Sequence, residues 1–417
     1  MTTTKIFPLM VLISFLVGFF LGEDTLGGGE SDYLYHQKYF LNFYEDFFNT
    51  IKNYGMDQVN EGVRNSPVFY IIFSFFLKIG FEVIHLKGLN LLILIPLIFF
   101  FNKCIDIKYK NVSLDIKLYF FSILLLSPTV RTLLIWPYPF LWALTLFMVS
   151  LFFYLRFKNE TEDRIKIKSA YYNIIFLSLA AYFTPNYAVF SIYFFYRYFL
   201  EYGISKKVLS IFLLNFVIAI PAIYFLFSKN FYLFNINVYE IDSYVKYNLS
   251  NKIIIITTIT FLFFLPLLPK LNKFKLLFFR KNYFSWHFLL ILIFAFVNIF
   301  YFNFSKGAGG GIFFHLSNIL FDNYILIYFV FLISLVFYYI LDLYNSNNIL
   351  IFFLLILYNI QFTIYYKYFD PLIFVLILFL IEFKSVCEIQ LEKIYKRYII
   401  FYIIFLSLNF TKGYIVY

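Results

Sequence analysis

The sequence predicts an all-α protein that crosses a membrane many times. Of its 417 residues, 62% are hydrophobic and only 14% are charged, whereas soluble domains average roughly 45–50% and 25%. The mean hydropathy of +0.80 reflects long apolar stretches that alternate with short polar segments. A helical span takes ~20 residues, so the chain has room for about 11–13 transmembrane helices. We therefore predict one multi-pass, membrane-embedded domain over residues 1–417.

The orientation of these helices is predicted from the basic residues, because cytoplasmic loops collect lysine and arginine. Four clusters should therefore lie on the inner side, and the net charge of +11 indicates this bias rather than a nucleic-acid partner. The N-terminal segment is basic and then apolar, and we predict a retained first span that starts inside. The basic clusters are residues 103–117, 156–168, 270–281 and 384–397. The outer loops then comprise residues 22–87, 228–251 and 303–315.

We assign the membrane crossings so that all four basic clusters lie on the inner side. Segment 66–85 is interrupted by Lys78 and Glu82, so we predict a juxtamembrane helix lying on the outer face. Residues 129–137 are predicted to form an outer turn. The predicted crossings are residues 5–21, 88–102, 118–128, 138–155, 171–183, 187–202, 209–227, 252–268, 284–302, 312–340, 349–366, 372–383 and 398–410.

The first outer loop concentrates the acidic residues. Eight of the 23 carboxylates fall between Glu23 and Glu61, and carboxylates are costly in hydrocarbon, so these groups must lie in water or in a polar cavity. Glu30 and Asp32 follow three glycines. One of them is our candidate for a general base, which must come within ~2.6–3.2 Å of a substrate hydroxyl. The carboxylates could also hold a divalent metal ion, or could be acids of a solvated loop.

Four cationic side chains on the predicted outer face are candidates for binding a phosphate. The planar guanidinium groups of Arg64 and Arg131 suit a phosphate. Lys306 adjoins a glycine-rich run at 307–311, where backbone N–H groups could converge on an anion; a flexible turn is the alternative. Lys367 could contact a lipid phosphate or could simply extend to the interface.

Further polar and aromatic residues of the predicted outer face are candidates for contacting the substrate. They are Asp24, Tyr33, His36, Tyr70, Asn186 and Tyr368. The sequence contains no H-E-x-x-H, C-x-x-C, G-x-S-x-G or dinucleotide-binding fingerprint, so hydrolase, metalloprotease and nucleotide-driven classes have no support. The two cysteines predict neither a disulfide framework nor a cysteine metal site.

The early part of the chain resembles the GT-C superfamily of integral-membrane glycosyltransferases, which take a sugar from a polyprenyl-phosphate carrier. The resemblance includes mannosyltransferase-like and aminoarabinose-transferase-like members. It begins with an acidic pair after the first span, here Glu30 and Asp32 followed by Tyr33. An R-x-x-P-x-F/Y-Y entry into the juxtamembrane helix comes next, here Arg64, Pro67, Phe69 and Tyr70.

Two later patterns extend the resemblance to the family. A span ends at Ser127-Pro128, and a basic-aromatic-x-x-Pro pattern appears late as Lys367, Tyr368 and Pro371. The chain departs from the family at the usual double proline, which is Ser66-Pro67 here, and at the late arginine, which is Lys367.

The resemblance implies an inverting sugar transfer for cell-envelope biogenesis, in the bacterial cytoplasmic membrane with the active site facing the periplasm. Asp32 or Glu30 would deprotonate a glycan, lipid or protein acceptor, and Arg64, Lys306 and Lys367 would hold the leaving lipid phosphate. A lipid-linked oligosaccharide polymerase or ligase would share this layout. A polysaccharide or lipid transporter is the non-enzymatic alternative, although transporters tend to carry ionisable groups near the membrane midplane.

Overall fold

A computed structural model gives the fold of most of the chain. It describes residues 3–54, 66–109, 112–228, 248–268, 281, 283, 285–305, 309–359, 363–383 and 391–415. Within these ranges the regular elements are helices, and the only β-type pairing is an isolated bridge between Gly309 and Ile364. The predicted all-α character is therefore confirmed for the described part of the chain.

The helices follow the apolar stretches closely. In chain order they are α1 Thr3–Leu21, α2 Gly29–Glu45, α3 Phe47–Asn53, α4 Val68–Lys78, α5 Val83–Leu91, α6 Leu94–Lys108, α7 Leu114–Leu126, α8 Pro128–Ile135, α9 Pro139–Asn159, α10 Asp163–Phe183, α11 Phe190–Tyr202, α12 Lys206–Ser228, α13 Leu249–Phe264, α14 Trp286–Phe300, α15 Gly311–Phe321, α16 Ile325–Ile340, α17 Ser346–Tyr358, α18 Leu372–Phe379 and α19 Leu391–Ile415. Short 3-10 helices cover Pro185–Val189, Leu265–Leu267 and Tyr366–Tyr368.

Several of these helices are long and apolar enough to cross a membrane. Among the described residues there are four, or up to five if the bent pair α7 and α8 forms one span. Six further apolar helices are shorter, with 10–17 residues each. The helices are thus compatible with a multi-pass membrane protein, and the total of about 11–13 spans stays a prediction. The four long helices are Val83–Lys108, Pro139–Asn159, Lys206–Phe225 and Leu249–Leu267.

Several of the predicted segments are wrong in their local structure, among them 66–85, where α4 ends at Lys78 and α5 begins at Val83. Residues 129–137 are largely helical rather than a turn, because Ser127 caps α8 by accepting a hydrogen bond from the Val130 N–H (3.1 Å). Pro128 cannot continue α7 but suits the first position of a new helix, and the two helices meet at a bend of 71°. Segment 312–340 is two helices, α15 and α16, because the chain adopts a left-handed conformation at Asp322 (φ 48°).

The chain divides into two compact units, 1–240 with 402–417 and 241–401, where the sequence predicts one domain. In the first unit, α9 packs against α6 and α10, while α1 packs on α7, α2 on α4, and α5 on α8. In the second unit, α13 packs against α14, α15, α16 and α17. Both α9 and α13 are largely buried, so each unit is built around one apolar helix.

The predicted orientation can be tested at two exposed positions of the first unit. Ser31 lies in the first turn of α2, and Asn159 ends α9 beside a basic cluster. Because cytoplasmic loops collect lysine and arginine, a cysteine at 31 should react with a membrane-impermeant maleimide from outside and one at 159 only from inside. The native cysteines, Cys104 and Cys387, would be replaced first. Reaction of both positions from the same side would contradict the orientation.

Candidate functional site

The turn between α1 and α2 is held by the carboxylate of Asp24. It accepts hydrogen bonds from the backbone N–H groups of Gly27 (3.1 Å), Gly28 (2.8 Å), Gly29 (2.7 Å) and Glu30 (3.3 Å). Backbone N–H groups at a helix start lack intrahelical partners and favour a negative charge. Asp24 therefore fixes the start of α2, and both of its oxygens are engaged by the backbone.

Glu30 and Asp32, the predicted acid pair, lie in the first turn of α2. Glu30 is exposed and Asp32 is half-buried. Residues two apart on a helix point about 200° away from each other, so the two carboxylates do not face one substrate atom together. The structure thus offers two alternative positions for a base at the same helix end.

A buried ion pair joins the first loop to α8. The Nε of Arg131 donates to Glu23 Oε1 (2.6 Å), and its Nη2 pairs with Glu23 Oε2 and donates to the Ser14 carbonyl (3.2 Å). Arg131 is only 1% exposed, and its Nη1 has no hydrogen-bond partner within the described ranges. A Cβ on Gly18 would come within 2.0 Å of Glu23 Oε2, so this close approach requires a glycine.

Neighbouring hydrogen bonds dock the same loop on the start and end of α8. Thr25 Oγ1 donates to the Pro128 carbonyl (3.0 Å) and shares a hydrogen bond with the Thr132 hydroxyl (2.9 Å). Trp136 Nε1 donates to the carbonyl of Glu23 (3.2 Å). The loop is therefore fixed by side chains that lie more than 100 positions later in the sequence.

Lys87 on α5 brings a positive charge to this cluster. Its Nζ lies 3.7 Å from the centre of the Trp136 ring and 5.3 Å from that of Tyr33, and it interacts electrostatically with Glu30. Cations are attracted to the faces of aromatic rings. Sequence reasoning missed Lys87, although a single lysine in a strongly apolar stretch was a usable signal.

Three of the predicted substrate contacts lie in the interior of the unit. His36 Nδ1 and the Tyr70 hydroxyl are 2.7 Å apart, both residues are buried, and together they link α2 to α4. The Tyr33 hydroxyl is buried without a hydrogen-bond partner in the described part of the chain. Burial raises the pKa of Tyr33 to about 12, so this phenol stays protonated at neutral pH. A substrate contact at these side chains would require the α2–α4 interface to open.

The remaining predicted residues lie in the 3-10 helix Pro185–Val189, in the second unit or outside the described ranges. Asn186 is half-buried in the 3-10 helix Pro185–Val189 of the first unit. Lys367 and Tyr368 belong to the second unit, where Lys367 Nζ lies 5.8 Å from the Tyr365 ring centre and 5.9 Å from that of Tyr368. Arg64 and Lys306 lie outside the described residues. Their convergence with the acid pair stays a prediction.

The described part of the glycine-rich run has a packing role. Gly309, Gly310 and Gly311 all have positive φ angles (92°, 113° and 76°), which side chains other than glycine adopt at a cost. The N–H of Gly310 donates to the Ile364 carbonyl (3.0 Å), and a Cβ on Gly309 would lie 2.4 Å from that oxygen. The N–H of Gly310 is therefore engaged by the chain itself, contrary to its predicted use in binding an anion.

Metal binding was one expectation for the acidic loop. Among the residues that the structure describes, no group of three or more His, Cys, Asp or Glu side chains is arranged to hold a metal ion. The metal therefore stays a prediction without a located site.

Comparisons with known proteins found no match to this chain. No protein-family model matches the chain, and neither a curated protein nor a solved structure matches it. Function is therefore inferred from the chemistry of the first loop and of the helices that hold it.

Proposed function

We propose that this protein is a membrane glycosyltransferase that moves a sugar from a polyprenyl-phosphate donor to a cell-envelope acceptor at the first turn of α2. The observation that supports the proposal is an acidic turn held rigidly at a helix start. Asp24 caps that helix, and the Glu23–Arg131 pair ties the preceding loop to α8. Catalysis of this kind depends on positioning a base to a fraction of an ångström, which such a loop would provide.

The proposed reaction is a single displacement at the anomeric carbon of the donor sugar. Glu30 or Asp32 accepts the proton of the acceptor hydroxyl or amine while that group forms the new bond to the sugar. The bond from the anomeric carbon to the phosphate oxygen breaks, and the lipid phosphate leaves with the electron pair. A nearby cation stabilises the negative charge that develops on the leaving group.

The structure suggests a different division of roles for the basic residues than the sequence does. Arg131 is buried and already paired with Glu23, so we assign to it the positioning of the loop rather than contact with the donor phosphate. Lys87 is only half-buried and interacts with Glu30, so we propose it as a phosphate contact. Arg64, Lys306 and Lys367 remain further candidates for the same role.

Replacing Lys87 by methionine should weaken donor binding. The methionine keeps an unbranched side chain on the Trp136 ring but removes the charge that would face the phosphate. We expect the KM for the donor to rise, because the lysine would hold the phosphate in the ground state, and kcat to fall as well, because the same charge would stabilise the leaving group. Lys78→Met on the exposed end of α4 is the matched control, and an unchanged donor KM in Lys87→Met would contradict this role.

The proposal is tested with purified protein in lipid nanodiscs. A panel of radiolabelled polyprenyl-phosphate sugars would be supplied with an envelope lipid fraction as acceptor, and the label would be followed from donor to product. Transfer from at least one donor supports the proposal. Intact donors throughout the panel, with a correctly folded protein, would contradict it.

A transporter is the second candidate, because the described spans contain more buried charge than the sequence indicates. Lys252 on α13 is 2% exposed and donates to the Asn359 carbonyl, and the Glu23–Arg131 pair lies beside the bend between α7 and α8. Buried ionisable groups and broken helices are typical of transport proteins. In liposomes, a transporter would move the lipid-linked sugar across the bilayer and leave its glycosidic phosphate bond intact.

A further inference from the structure

A cavity of about 340 Å³ lies within the first unit, between α10, α12, the start of α4 and the 3-10 helix Pro185–Val189. Ten of its sixteen lining residues are alanine, serine or proline. On α12 these are Ala219, Pro221 and Ala222. Small side chains at facing positions of two helices normally let the helices approach, but here they leave space. The volume is in the usual range for a small-molecule site.

The described walls of this cavity are mostly apolar. Among the residues that the structure describes, the lining contains no Asp, Glu, Lys, Arg or His residue; its one amide is that of Asn215, and each of its four hydroxyl groups has a partner. The Ser66 hydroxyl accepts from the Val68 N–H (3.3 Å). The other three hydroxyl groups donate: Ser178 to Asn215 Oδ1 (3.1 Å), Tyr182 to the Ile218 carbonyl (2.6 Å) and Ser191 to the Ala188 carbonyl (2.7 Å). An ionic ligand would lose its hydration there without gaining an oppositely charged partner from the described lining.

The position of α12 indicates where an apolar ligand would come from. This helix contains the candidate membrane span Lys206–Phe225, and Leu213, Val217 and Ile220, on the face opposite the cavity, are exposed. Exposed apolar side chains on a spanning helix face lipid. The cavity therefore lies directly behind a helix that contacts the hydrocarbon of the bilayer.

A chain of aromatic rings connects the cavity to α2. Phe225 lines the cavity, and its ring centre lies 5.7 Å from that of Tyr54. Tyr54 in turn packs against Tyr39 of α2 at 5.8 Å, and the Tyr39 hydroxyl donates to that of Tyr35 (3.2 Å). Tyr35 and Tyr39 follow Asp32 by three and seven positions, so these residues share one helix face.

We infer that this cavity binds one hydrocarbon chain of a membrane lipid. Its lining is apolar, its hydroxyl groups are satisfied, and the source of such chains lies on the other side of α12. Both an isoprenoid chain and a fatty acyl chain have this chemistry. The inference does not depend on the proposed transferase reaction, since a bound chain would be detected with or without sugar transfer.

The inference is tested by photo-crosslinking in nanodiscs with two diazirine-tagged lipids, a polyprenyl phosphate and a phospholipid. We expect the labels to map to residues 177–191 and, on α12, to Asn215, Ala219 and Ala222 rather than Val217, and the more strongly labelling lipid identifies the type of chain. Ala222→Phe, which fills the cavity, should lose most of this labelling. Val217→Phe on the outer surface of the same helix is the matched control and should keep it.

Two results would overturn the inference. One is labelling by both lipids that is confined to the outer surface of α12. The other is labelling of the cavity peptides that is unchanged in Ala222→Phe. If Ala222→Phe does not fold, Ala188→Leu provides the same test, because Ala188 lines the cavity from an exposed position. Sugar transfer that persists without cavity labelling would remove this inference but leave the proposed function in place.

Discussion

Replacing both acids of the first turn of α2, as Glu30→Gln with Asp32→Asn, is expected to lower kcat for sugar transfer by about 10²–10⁴-fold, the usual contribution of a general base. An amide keeps the size of each side chain but does not accept the acceptor's proton. Because the two carboxylates point in different directions from the helix, one single variant should account for most of the loss. That variant identifies the base, and label transfer from the donor measures it.

The control for this prediction is Glu45→Gln, an exposed acid at the other end of the same helix. It changes the net charge in the same direction but should leave kcat unaltered. Expression and melting temperature should remain close to wild type in Glu30→Gln and Glu45→Gln, because both residues are exposed and substitutions at exposed positions rarely change stability by more than about 0.5 kcal/mol; for the half-buried Asp32, the melting temperature is compared with wild type before kcat is interpreted. Wild-type transfer by the double variant would show that neither acid is the base.

Replacing Arg131 by alanine is expected to cost roughly 3–5 kcal/mol of folding free energy, because it leaves Glu23 buried without its partner. Both side chains are nearly inaccessible, with 2% of Arg131 and 8% of Glu23 exposed. The change would also release the loop that positions α2, so the transfer activity should fall with stability. Thermal melting of the detergent-solubilised protein measures the loss.

A double variant distinguishes the stability lost by leaving the Glu23 charge unpaired from the stability lost with the packing of the Arg131 side chain. Glu23→Leu with Arg131→Met removes both charges and should recover much of the stability, because buried ion pairs are often replaceable by apolar side chains. Lys207→Ala breaks an exposed ion pair with Asp163 and should leave the melting temperature close to wild type, since exposed pairs contribute little. An unchanged melting temperature in Arg131→Ala would contradict the anchoring role.

Much of the helical framework could be predicted from hydrophobic stretches alone. The predicted crossing 138–155 lies within α9 except for its first residue, and 88–102 lies within the long helix formed by α5 and α6. The errors occurred where one sequence pattern is compatible with two local structures. Ser127-Pro128 was interpreted as the end of a span, although serine followed by proline is also a common start of a helix.

The site could be predicted only in part, because its geometry depends on pairs that are distant in sequence. The acidic turn was visible from its composition, and the structure places it at a helix start. Glu23 was one acid among eight, and nothing in the sequence indicated that it would pair with Arg131, 108 positions away. Lys87 was overlooked because it lies at the edge of a segment treated as a membrane crossing.

The measurement that tests the proposed mechanism most directly is the anomeric configuration of the transferred sugar. A base at the start of α2 would activate the acceptor for one displacement at the anomeric carbon, so the product must have the opposite configuration to the donor. NMR of product made from a donor of known configuration would show this inversion. A product that retains the donor's configuration would contradict the account, since retention requires two displacements and a glycosyl intermediate on the protein.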